Sequence, residues 1–166
     1  MNSFVIVDFI RLALIITLAY LAAHDFRTFR IPDVITLPFI ALGLMANGLS
    51  NFGFTGTQDS ILGALVGYLL FWGGNHLYQL VKKQNGIGMG DAKLLAGLGA
   101  WLGWGALPGI LLIASASGLL GGLLWLRFQG KSLSSAFPFG PFLAFAGIIE
   151  LLWPQLQTIF LLSTPN

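Results

Sequence analysis

Two aspartates sit where a lipid-embedded chain tolerates charge least. Asp25, in His24-Asp25-Phe26-Arg27, follows the apolar run Phe4–Ala23, and Asp91, in Gly88-Met89-Gly90-Asp91, precedes another such run. Only 8% of the residues are charged, and ionisable groups at the edges of membrane segments are candidates for function. Two carboxylates that meet can hydrolyse a peptide bond. The ionised one takes a proton from water while the protonated one donates to the scissile carbonyl. Like charges a few ångströms apart do not both ionise easily, so such a pair shares a proton and titrates as a unit. The pattern suggests an aspartyl protease built into a membrane.

Glycines surround one member of the pair. Gly86, Gly88 and Gly90 lie beside Asp91, and glycine tolerates positive φ and close backbone approach. They are expected to let a substrate strand come near. Gly-x-Gly-Asp alone also arises by chance in a chain with 22 glycines. Two plain alternatives therefore stand beside the catalytic reading. Asp91 would be a helix N-cap, a position aspartate favours, and Asp25 a polar group at a helix end, solvated by cytosol.

The elements that must carry these residues are membrane helices. Apolar residues make up 56% of the 166 and mean hydropathy is +0.84, whereas soluble domains run nearer about 25% charged. Spanning helices need about 20 apolar residues each. Six spans are predicted, at about Phe4–Ala23, Val34–Leu49, Ile61–Val81, Ala92–Trp104, Leu107–Leu126 and Pro141–Leu162. The expected fold is an all-α integral membrane bundle of about six transmembrane helices, forming one domain over residues 1–166. The fourth span is short and Gly-rich, so it is expected to be tilted or shielded by its neighbours. Continuous hydrophobicity argues against barrel strands, which alternate. Glycine pairs such as Gly63 and Gly67, and the stretch Gly118–Gly122, read as helix-packing positions.

Basic residues set the orientation. Seven of the eight, Arg27, Arg30, Lys82, Lys83, Lys93, Arg127 and Lys131, flank the first, third and fifth loops, and only Arg11 falls elsewhere. The positive-inside rule then places those loops in the cytoplasm and both termini outside. Asp25 and Asp91 fall on the cytoplasmic face. The start of the chain does not read as a cleavable signal, because Asp8 offsets Arg11. These two, three apart, read as a local ion pair. No cysteine is present, which rules out thiolate zinc and cysteine nucleophiles. No basic run exceeds Lys82-Lys83, which argues against nucleic acid.

Three stretches together resemble the type IV prepilin peptidase family of Gly-x-Gly-Asp membrane aspartyl proteases. They are His24 through Asp33 (HDFRTFRIPD), Gly88 through Leu95 (GMGDAKLL) continuing to Gly103, and Pro138-Phe139-Gly140-Pro141-Phe142-Leu143. The resemblance implies that Asp25 and Asp91 are the catalytic pair. It implies removal of a short basic leader from prepilins or pseudopilins at the cytoplasmic face of the inner membrane, just before the apolar stem. No cofactor is implied. Many bacterial members carry a cytoplasmic region with Cys-x-x-Cys motifs linked to N-methylation. Its absence here leads to the expectation of a stand-alone peptidase.

The remaining polar residues carry open readings. Asp33 competes as a carboxylate in the first motif and is expected to be a cap or a structural contact. Gly88, Gly90 and Lys93 are candidate loop supports. Lys93 would position the loop or tune the pair, or else act as a positive-inside anchor. Glu150, placed near the middle of the sixth span, is expected to face the bundle interior or to be protonated. Asn75 and His76 raise a metal reading, but a lone histidine among apolar neighbours is expected to be an interior residue, so no metal site is assigned. The alternative function is a small transporter using the carboxylates for cations or protons, although such sites lie nearer the midplane. A catalytically inactive scaffold and a presenilin-like protease are further options.

Overall fold

The computed structural model of the chain describes residues 3–49, 53–82, 88–128 and 138–153. They form six α-helices, α1 (Ser3–Thr28), α2 (Asp33–Leu49), α3 (Thr57–Lys82), α4 (Met89–Leu102), α5 (Leu107–Phe128) and α6 (Gly140–Leu152), with a 3-10 turn at Trp104–Ala106. No strand occurs among the described residues. The protein is an all-α membrane protein, as its composition predicts. Val5–Thr28 and Trp104–Gly122 are long and apolar enough to cross a bilayer.

Several helices outrun their apolar stretches. α1 continues past Ala23 to Thr28, and α4 begins at Met89 rather than Ala92. Hydropathy marks only the lipid-facing part of a helix, while the polar turn beyond it still closes its own backbone hydrogen bonds. Asp25 and Asp91 therefore stand on helices rather than in loops. α6 differs in the other direction. The predicted span runs to Leu162, but the helix ends at Leu152, with Trp153 at φ −130°, ψ 67°. Pro154 follows, and a proline disfavours helical geometry in the residue before it. Residues 154–162 of that span lie outside the described residues.

α4 is the centre of the bundle. Ala92 and every residue from Leu94 to Trp101 are buried, and α2, α3 and α6 pack around it. Fourteen residues reach only about 21 Å at 1.5 Å per residue, short of a bilayer core of about 30 Å. Burial by its neighbours answers the expectation that this span is shielded. The outer helices show the reverse, with Phe9, Leu65 and Leu120 among the exposed apolar side chains, as lipid contact requires.

Small residues let α3 lie against α4. A Cβ on Gly63 would land on the Gly99 carbonyl oxygen, one on Gly99 would land on that of Gly63, and one on Gly67 would lie 2.7 Å from the Leu95 oxygen. All three obstacles are backbone, which cannot rotate away. Gly99→Ala is expected to destabilise the bundle by about 3 kcal/mol, the upper end of overpacking costs, read as a lower melting temperature in detergent. Gly73→Ala, whose Cβ would meet nothing within 4 Å, should be neutral or slightly stabilising.

The far end of α4 is closed by Asn47, buried at the end of α2. Its Nδ2 donates to the carbonyls of Ala100 (2.7 Å) and Trp101 (3.0 Å), and its Oδ1 accepts from the Phe54 amide (2.8 Å). The Trp101 indole donates to the Phe39 carbonyl (2.9 Å). The last carbonyls of a helix have no partner within it, and here side chains of neighbouring elements supply them. The opposite end of α4 is thereby held at a set height.

Candidate active site

Asp25 lies one turn before the end of α1 and is buried. The helix closes when the Phe29 amide donates to the Asp25 carbonyl (2.8 Å). Phe29 takes a left-handed φ of 54°, which turns the chain sharply. The turn is knitted by His24 and Thr28. The His24 Nδ1–H donates to the Arg30 carbonyl (2.9 Å), and the Thr28 hydroxyl bonds the carbonyls of His24 (2.9 Å) and Arg30 (3.1 Å). His24 is thus occupied in shaping the turn that follows Asp25.

The turn throws Ile31 inward. It is 8% exposed and wedges between two helix starts. A Cβ on Gly90 would lie 3.0 Å from the Ile31 Cβ, and one on Gly140 would lie 2.9 Å from its Cδ1. Ile31 therefore sets how near the starts of α4 and α6 come to the end of α1.

Gly140 opens α6 directly against Asp25. A Cβ there would stand 2.6 Å from Asp25 Oδ2, and the Gly140 backbone N–H hydrogen-bonds that carboxylate. The first amides of a helix lack partners within it and carry partial positive charge, so the start of α6 offers Asp25 a donor. Sequence reasoning did not single out Gly140 or Ile31 as site residues. The signal for Gly140 was Pro141, which sits in the first turn of α6 and fixes where that helix starts.

Asp91 is in the first turn of α4 but does not cap it. The N-cap is Gly88 (φ −66°, ψ 128°), with no side-chain cap, and the Asp91 amide donates to the Gly88 carbonyl (3.1 Å). The capping reading of Asp91 is therefore set aside. Asp91 precedes the apolar stretch starting at Ala92, so it lies outside the spanning segment. Burial, and then the charge of Asp25, push its carboxyl up to about 7. The two carboxylates are thus near neighbours at one end of the bundle, on α1 and α4.

Gly88 and Gly90 do not adopt the positive φ that glycine allows; among the described residues only Phe29 and Gly103 have it. Gly90 is helical, and the close approach it permits is taken by Ile31. Gly86 lies outside the described residues.

Lys93 and Asp33 answer each other. The ammonium lies 2.6 and 2.7 Å from the two Asp33 carboxylate oxygens, tying the start of the second turn of α4 to the first residue of α2. Both are partly exposed, at 23% and 55% of their side chains. Lys93→Met is expected to cost under about 1 kcal/mol, as for exposed ion pairs generally, and to leave melting temperature nearly unchanged.

Glu150 does not join this site. It lies in the last turn of α6, at the end away from Gly140, and not mid-span as predicted. It is buried and faces a cavity of about 590 Å³ with Arg11, Asp59 and Trp104. The predicted Asp8–Arg11 ion pair is present there, at 3.1 Å. Asn75 is buried. His76 is exposed and stacks on Trp72 with ring centroids 5.6 Å apart, so it is not the interior histidine expected.

Residues 12–126 match the type IV leader peptidase family. The chain belongs to that family. Both aspartates fall within the matched stretch. Similar curated proteins include the prepilin leader peptidase/N-methyltransferase of Aeromonas salmonicida, 42% identical over 154 residues, which are 92% of this chain and 52% of that protein. Another, of Pseudomonas putida, is 48% identical over 124 residues, 74% of this chain and 42% of that protein. A third, of Pectobacterium carotovorum subsp. carotovorum, is 38% identical over 85% of this chain and 50% of its own length. The chain spans about half the length of the curated relatives it matches. No solved structure matches it.

Proposed function

We propose that this leader-peptidase family member is an aspartyl endopeptidase that removes the leader peptide of type IV prepilin-like precursors at the cytoplasmic face of the inner membrane. The observation that carries the reading is that Asp25 and Asp91 lie near enough at one end of the bundle for the charge of Asp25 to add to burial in raising the Asp91 carboxyl to about 7. One carboxylate of the pair is then ionised and takes a proton from water. The other donates its proton to the oxygen of the scissile carbonyl as the tetrahedral intermediate forms. The proton count is restored when the intermediate collapses and the amine leaves. The proton belongs to the pair, so neither residue is permanent acid or base.

Orientation rests on charge. Arg27, Arg30 and Lys93 lie at the same end as the pair, and basic residues near span ends mark the cytoplasmic side. A leader cut there stays in the cytoplasm while the apolar stem remains in the bilayer. The transporter alternative is less well served, because both aspartates stand at a membrane edge rather than at the midplane where such sites lie.

The test is direct. Protein purified in detergent is incubated with a prepilin, a type II secretion pseudopilin and a tight-adherence pilin precursor, and the products are weighed by mass spectrometry. A product shortened by the leader is expected from at least one. Cleavage of none of the three would overturn the reading.

A further inference from the structure

Among the described residues a seam stays open between α1 and α2, which are consecutive in the chain. α1 packs on α6 and α2 packs on α4, while α1 and α2 are joined by only four residues, 29–32. Between them runs a groove of about 640 Å³ whose lining carries no charged side chain. Leu14, Phe39 and Trp101 are its buried floor, and Phe9, Ala13 and Leu42 are among its exposed walls. Its α2 wall extends from Val34 to Leu49, about 23 Å at the helical rise, which is most of a bilayer core of about 30 Å.

The α2 wall of the groove begins beside the residues that flank the aspartate pair, while its α1 wall runs from Phe9 to Thr17, below Asp25. Val34 and Ile35 follow Asp33, whose carboxylate holds Lys93 two residues beyond Asp91. Ile31, just before them, touches Gly90 and Gly140 beside Asp25. A helix lying along the α2 wall would therefore end beside Asp33 and Lys93, on the side of the bundle where Asp25 and Asp91 stand. A small residue, Ala13, on the α1 wall allows a helix backbone to come close, as small residues do in membrane packing.

We propose that the α1–α2 groove receives the apolar helical stem that follows the cleavage point of the substrate, holding the scissile bond at the height of Asp25 and Asp91. This rests on the leader-peptidase reading above and adds where the stem binds. The groove has no charged group to satisfy, so its occupant is an apolar helix, and the start of its α2 wall at Val34, beside the Asp33–Lys93 ion pair, selects the substrate stem over a structural lipid.

The inference is tested with Ala13→Trp and Leu42→Trp, which fill the groove without touching the pair. Two substrates are compared in detergent, a full precursor and a peptide that carries the leader and cleavage point but no stem. The groove variants should lose about tenfold or more in kcat/KM on the full precursor, the scale of an overpacked apolar contact, chiefly through KM. They should cleave the stemless peptide at the parental rate. Leu65→Trp and Leu120→Trp, on exposed faces of α3 and α5, should behave as the parent on both. Unchanged cleavage of the full precursor, or equal loss on both substrates, overturns the groove assignment. A second measurement does not depend on cleavage. A photo-crosslinking residue at Leu42 of the Asp25→Asn variant should capture the precursor through its stem, and one at Leu65 should not. Equal capture at both positions, or capture only of lipid, also overturns it. A parent that cleaves no precursor fails the leader-peptidase reading by itself, separately from where the stem crosslinks.

Discussion

Asp25→Asn and Asp91→Asn should each lower leader cleavage by roughly 10³-fold or more, and the double variant should be little worse than either. General acid–base groups contribute about 10²–10⁴-fold, and residues that act as one unit lose their effect together rather than additively. Asparagine keeps the shape of the side chain but can neither share the proton nor take one from water. Insertion and melting temperature should stay near parental, because each change removes a charge that burial disfavours. The assay is single-turnover cleavage of a precursor, with thermal unfolding in the same detergent as the check on folding. Near-parental cleavage by either variant would sink the paired-carboxylate mechanism.

The same pair predicts a pH response. Asp91 is pushed from an ordinary carboxylate value up to about 7, so the folded protein binds a proton there that the unfolded chain has already released above about pH 4. More protons bound in the folded state means that stability falls as pH rises from about 4 to 7. Cleavage should fall as pH rises through about 7, because the pair then loses the proton that serves as general acid. A cleavage profile still rising well above neutrality would contradict this.

Gly140→Ala should slow cleavage by about 10²-fold although it removes no functional group. The added Cβ would stand 2.6 Å from Asp25 Oδ2 and 2.9 Å from Ile31 Cδ1. Ile31 is wedged against Gly90 and cannot yield freely, so the start of α6 or the Asp25 carboxylate must move. A displacement of about 1 Å at reacting groups can cost about 10²-fold, and overpacking costs about 1–3 kcal/mol of stability. Both losses should appear together, as slower cleavage at saturating precursor and a lower melting temperature. Gly105→Ala, with nothing within 4 Å of its Cβ, should change neither. Parental cleavage by Gly140→Ala would show that the approach of α6 to Asp25 is slack.

Much of this could be read from one strand of letters because lipid is a severe solvent. Long apolar runs broken by few charges can only be helices there, so six elements and their order were legible. The two aspartates stood out for the same reason, as did the Asp8–Arg11 pair. The helix ends were less legible. Polar turns such as His24–Thr28 carry no hydropathy signal but are held by the His24 and Thr28 bonds, and α6 ends at Leu152 although hydropathy alone gives no stop there.

What the sequence determined by itself was the kind of chain and the residues fit for chemistry. A membrane bundle follows from composition, and two aspartates at span ends on one side stand out as the carboxylates fit to pair. Tertiary structure alone decided which groups meet. Asp25 and Asp91 are near because Ile31 draws α4 and α6 together, Lys93 is held by Asp33, and Gly140 rather than Gly88 faces Asp25. Glu150 ends at the other side of the bundle. Distance along the chain carries no information about such meetings. They are settled by which small residues let backbones close and which side chains fill the space left between them.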